Sequence, residues 1–191
     1  MPTKAIDRVA LLNITFIVEA FLLSAATVWS WAGGIGLKPA LVLEPRFFLL
    51  GSLLGLAIAA CSLTLMWLGK SVGVLSHLRE IIITQIAPIF AELTWWDAVL
   101  VAAISGFCEE VLFRGVVQYQ FHLWPTSVIF GLFHCPSTKH LSYGLWAFAA
   151  GAILGWSYIA SHSLWVPIVA HATSNLISLL FLRYGVKPVE Q

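Results

Sequence analysis

Apolar runs of about twenty residues, the length that crosses a bilayer core as a helix, recur along this chain and confine what it can fold into. The clearest are about Ala10 to Trp31, Phe47 to Leu68 and Leu164 to Leu182. In lipid every backbone N–H and C=O must be satisfied within the protein, which runs of this length achieve as helices. Composition agrees: 60% of residues are hydrophobic and 10% charged, against about 25% charged in soluble domains. The expected fold class is all-α, a polytopic membrane helix bundle embedded in the lipid bilayer. A net charge of +1 without basic clusters gives no footprint for nucleic acid.

The pattern predicts one membrane domain over 1–191, with two N-terminal spans (10–69), an amphipathic helix (74–93) and a third group of helices (95–183). Lys4 and Arg8 precede a first run too long for a signal-peptide core, so it reads as a retained span. Further spans are expected from Trp95 to just before Gln118, from Trp124 to His134, from Tyr143 to Ala160 and from Leu164 to Leu182, six crossings in all. Gly51 and Gly55, and again Gly151 and Gly155, have the spacing that lets helix backbones approach closely. Between 74 and 93, Leu75, Leu78, Ile82, Ile86 and Ile89 recur at helical intervals opposite His77, Arg79, Glu80 and Gln85. Such a helix either lies on the membrane surface or caps the bundle from the cytosol, with Pro88 bending or ending it. The excess of Lys and Arg on one side, with Lys4 and Lys187 counted there, predicts an integral membrane protein with both termini cytoplasmic, and a bacterial inner membrane is the expected location.

Against this background Glu109, Glu110 and Arg114 are out of place. A charge at the middle of a membrane helix costs roughly 2.5 to 3.5 kcal/mol, so three within six residues need partners or a task. Glu110 and Arg114 are four apart and stack on one helical face as an ion pair. Glu109 is rotated by about 100° and is left free for chemistry. Two more ionisable segments follow, Phe130 to His134 and His171 to Asn175, each with four-residue spacing. Counted along the helices, Glu109, His134 and His171 reach depths of roughly 10 to 17 Å from the non-cytoplasmic ends. Taken singly, each histidine is an ordinary structural group; their shared depth is what a common site requires. His77, His122, His140 and His162 fall at loops or interfaces and read as structural. Cys61, Cys108 and Cys135 read as buried apolar thiols.

Glu109-Glu110-x-x-x-Arg114, Phe130-x-x-x-His134 and His171-x-x-x-Asn175, in this order on separate apolar segments, resemble the three motifs of the CAAX-protease and bacteriocin-processing (CPBP, Abi) family of intramembrane endopeptidases. The resemblance covers roughly Leu75 to Leu182. It implies hydrolysis of a peptide bond in a membrane-anchored or lipid-modified peptide or protein substrate. It also implies that Glu109 and His134 activate a water, that Asn175 holds the oxyanion, and that Glu110, Arg114 and His171 support and orient. No cofactor is favoured. The alternative is zinc, held by Glu109, His134 and His171 with one position open, as in catalytic zinc sites. Two other classes use similar residues, a proton-coupled transporter and a non-catalytic immunity or assembly protein of the membrane. No inverted repeat supports the transporter.

Overall fold

A computed structural model describes residues 6–186. Lys4 and Lys187, which enter the charge bias above, lie outside the described residues. Within them the chain is helical, with no strand. The helices are α1 (Arg8–Ala32), α2 (Pro45–Leu68), α3 (Gly73–Ile81), α4 (Trp95–Leu112), α5 (Gln118–Phe121), α6 (Leu123–Phe133), α7 (Leu141–Ser161) and α8 (Trp165–Leu180). Among the described residues, four helical segments are long and apolar enough to cross a membrane: Arg8–Ala32, Pro45–Leu68, Thr138–Ser161 and Trp165–Gly185. The expected third and fourth spans differ for separate reasons. α4 carries Asp97, Glu109 and Glu110, and α6, with 11 residues, is only about 16 Å long.

The helix starts have visible local causes. Asp7 caps α1 by accepting from the Ala10 N–H at 3.0 Å. α4 opens with a capping box: the Thr94 hydroxyl accepts from the Asp97 N–H, and the Asp97 carboxylate accepts from the Thr94 N–H at 2.8 Å. The two entrances are tied together, because Arg8 donates to both Asp97 oxygens, at 2.5 and 2.7 Å. α4 does not stop near Gln118. It passes through a π-turn, Phe113–Val117, into α5, and ends at His122, whose φ of 62° turns the chain into α6.

Close contacts fix the directions of packing. A Cβ added at Gly51 would lie 2.7 Å from Val169 Cβ, and one at Gly55 2.6 Å from both the Ala170 carbonyl oxygen and Thr173 Cβ. α2 therefore runs parallel to α8, with backbone nearly touching backbone. Gly106 meets Ala172 while Ser105 meets Asn175 and Glu110 meets His171, so α4 and α8 are antiparallel. Arg114 Nη2 donates to the Gly151 carbonyl and Gln118 Nε2 to the Gly155 carbonyl, both at 2.9 Å, a parallel register in which both glycines leave room for polar side chains. Gly55→Val is expected to lower the melting temperature of the detergent-solubilised protein, since the neighbour it meets is backbone; an unchanged melting temperature contradicts this packing.

The amphipathic segment forms, but not as one helix. α3 gives way to a π-turn, Ile82–Ile86, and then to a 3-10 turn, Ala87–Phe90, where Pro88 lacks the N–H an α-helix would need. Its apolar face packs on the bundle, with Leu78 and Ile81 buried. Of the four histidines read as structural, His77 Nε2 contacts the Lys139 carbonyl oxygen at 3.2 Å and His140 Nδ1 contacts Ser137 Oγ at 2.9 Å. His122 and His162 occupy turns with left-handed φ.

Candidate active site

Glu110 and Arg114 are both fully buried, and their side chains meet as the i,i+4 spacing requires, with Arg114 Nη1 donating to Glu110 Oε1 at 2.9 Å. The same oxygen accepts from His171 Nδ1 at 2.8 Å. The other guanidinium nitrogen, Nη2, is spent on the Gly151 carbonyl, and the cation lies over the Phe130 ring, 4.6 Å from its centroid. Phe130 also contacts His134 and His171, at centroid separations of 4.6 and 5.9 Å. One aromatic ring thus ties α4, α6 and α8 together. An ion pair this deep is favourable only when its remaining bonds are met, and most of Arg114's are.

Glu109 is in a different position. Its Oε2, like Glu110 Oε2, is buried without a hydrogen-bond partner, but Arg114 and His171 both bond Glu110 Oε1, and among the described residues no cation bonds Glu109. His134 Nδ1 lies 2.9 Å from the Phe130 carbonyl oxygen. A carbonyl only accepts, so Nδ1 carries a proton, and the neutral tautomer with that proton has its lone pair at Nε2. Asn175 Nδ2 donates to Ser105 Oγ at 3.1 Å, which leaves its second amide hydrogen available.

His134, His171 and Asn175 line a cavity of about 140 Å³. At about 30 Å³ per water, it holds a few waters or part of one substrate residue. Tyr143 and Trp146 of α7 complete one side, while Leu78 and Ile82 from the amphipathic segment and Ile58 and Met66 of α2 form an apolar margin. Among the described residues, no group of three His, Cys, Asp or Glu side chains is arranged to hold a metal ion. His171 Nδ1 is bonded to Glu110, which leaves its Nε2 as the ring's other nitrogen.

Some residues at this depth lay outside the three motifs. Ser105 orients Asn175, and Tyr143 approaches His134 with ring centroids 6.1 Å apart. Gln118 extends the Arg114 face by one helical turn, a signal the four-residue spacing already held. Glu19 of α1 is 6% exposed with Oε2 unpartnered; as a lone carboxylate in an apolar run, it was visible only as an interruption.

Comparison with known proteins meets the same segment. Residues 91–177 match the family profile described as type II CAAX prenyl endopeptidase Rce1-like. A protein of Bacillus subtilis (strain 168), the uncharacterized protein YpbD, is 25% identical over 132 residues, which cover 63% of this chain and 70% of that protein. No solved structure matches the chain significantly. The matched segment begins just before α4 and ends within α8, so it contains every motif residue, of which Phe130, His134, His171 and Asn175 line the cavity and Glu109, Glu110 and Arg114 do not. The chain is an integral membrane protein, and its residues 91–177 are similar to the type II CAAX prenyl endopeptidases of the Rce1-like profile.

Proposed function

We propose that this chain is an intramembrane endopeptidase that hydrolyses a peptide bond in a membrane-anchored or lipid-modified peptide or protein, without a metal ion. The observation that carries this reading is the division between the two adjacent carboxylates: Glu110 takes both Arg114 and His171, and Glu109 is left unpartnered next to them. Glu109 removes a proton from a water whose oxygen bonds to the scissile carbonyl carbon. His134 Nε2 accepts a hydrogen bond from that water and aims it. The charge that develops on the carbonyl oxygen is met by the free Asn175 N–H. As the C–N bond breaks, the proton held by Glu109 passes to the leaving nitrogen.

Six crossings with both termini in the cytoplasm accompany this reading. They are supported by the alternating helix directions and by the Lys and Arg bias, with Asp97 of α4 bonded to Arg8 and Glu110 to Arg114 and His171, and with the short α6 carrying the chain back between the parallel α4 and α7. A bacterial inner membrane is the location proposed.

The test is cleavage of an internally quenched peptide carrying an S-farnesyl cysteine in a C-terminal CAAX sequence, by the protein purified in detergent. The expected result is cleavage by the unaltered protein that survives 1,10-phenanthroline, and its loss by about 10²-fold or more in His134→Ala. Inactivation by the chelator with recovery on added zinc would overturn the metal-free mechanism. Full activity of His134→Ala overturns the assignment of the site.

A further inference from the structure

α1 lies outside the segment that matches the family, yet one of its four buried side chains is a carboxylate. Those four, Leu11, Glu19, Leu22 and Ala26, form the face that α1 turns inward. Below Glu19, Leu11 packs with Ala98, Val101 and Ala102 of α4. Above it, Leu22 and Ala26 pack with Val111, Leu112 and Phe113. Glu19 therefore occupies the α1 face that covers α4, at the level between these two clusters.

The register sets that level independently. Arg8 and Asp97 are bonded at the entrance, and the helices run parallel from there. Eleven residues further along α1 is Glu19, and twelve residues further along α4 is Glu109, rises of about 16 and 18 Å. Each carboxyl group has an Oε2 that is buried and without a partner. Of the cations at this depth, His171 Nδ1 and Arg114 Nη1 are bonded to Glu110 and Arg114 Nη2 to the Gly151 carbonyl, while Arg114 Nε has no partner. Two unpaired carboxylates on buried helix faces at one level in a membrane are costly as ions, and one proton shared between them supplies an O–H donor.

We infer that Glu19 is a positioning residue for Glu109, its carboxyl O–H donating to the Glu109 carboxylate and holding that side chain in one rotamer. This rests on the endopeptidase reading of the site. It adds a residue from α1, outside the three motifs, and gives the first span a part in the chemistry. The two orphaned oxygens satisfy each other. Glu109 gains an orienting partner without a cation that would weaken it as a proton acceptor.

The test uses the full chain in detergent and the farnesylated peptide. Glu19→Leu removes the donor but suits an apolar helix face, so the variant should melt no lower than the unaltered protein. Its kcat should fall by about ten- to a hundredfold, the cost of a misplaced catalytic group, with KM unchanged. Glu19→Gln restores an N–H donor at that place and should recover most of the loss. An unaltered kcat in Glu19→Leu overturns the proposal, as does a Glu19→Gln variant no better than Glu19→Leu. A second measurement needs no activity: melting temperatures of Glu19→Leu, Glu109→Ala and the double variant, in which each single change removes the bond. Coupled side chains give shifts that do not add, whereas additive shifts refute the pairing. A protein that cleaves no prenylated peptide sinks the endopeptidase reading, and the melting cycle still decides whether Glu19 holds Glu109.

Discussion

Glu109→Gln is expected to give a folded protein whose cleavage of the farnesylated peptide is slower by about two to four orders of magnitude, the range for loss of a general base. The substitution keeps the shape of the side chain and removes its capacity to take a proton from water. Stability should be largely spared, because Glu110, not Glu109, accepts from Arg114 and His171, and the Gln amide oxygen can still accept from Glu19. KM should change little, since the lost interaction is made only as the water attacks. Peptide cleavage under single-turnover conditions, beside a melting curve of the same preparation, separates the two effects. A Glu109→Gln protein within tenfold of full activity would falsify its role as the base. The matching Glu110→Gln variant is the useful contrast, because it weakens bonds to two helices at once.

How much of this was legible before any coordinates depends on whether the cause is local. The i,i+4 pairing of Glu110 with Arg114 follows from helix periodicity alone, and it forms as spacing dictates. The long apolar runs announce α1, α2, α7 and α8 for the same reason. Other features have non-local causes. That His171, rather than Glu109, completes the Glu110 network is decided by the antiparallel contact of α4 with α8, which Gly106 permits against Ala172. The break of the amphipathic segment at Ile82 was not readable from its apolar repeat, although Pro88 marks the later 3-10 turn. Glu19 is the plainest case: one carboxylate in an apolar run has no periodicity to reveal its partner, and only the parallel register of α1 with α4 brings it level with Glu109.

Arg114→Ala should damage the fold at least as much as the chemistry. The guanidinium is fully buried and serves three groups on three helices: Glu110 on α4, the Gly151 carbonyl on α7 and the Phe130 ring on α6. Truncation leaves the Glu110 carboxylate with His171 alone and leaves the Gly151 oxygen without its side-chain donor. Removing one partner of a buried ion pair costs about 3–5 kcal/mol, a large share of the roughly 5–15 kcal/mol that holds a typical domain folded. The expected outcome is a protein recovered from the membrane in low yield, or with a melting temperature far below that of Glu109→Gln. Arg114→Lys should rescue poorly, because one ammonium on a flexible stem lacks the planar fork that spans Glu110 and Gly151 and lies flat on Phe130. Size-exclusion profiles and melting curves of the three variants, taken together, order them by stability. A well-folded but inactive Arg114→Ala would reverse the division of labour, moving Arg114 from the scaffold to the reaction and leaving Glu110 as the residue whose charge the bundle can hold without it.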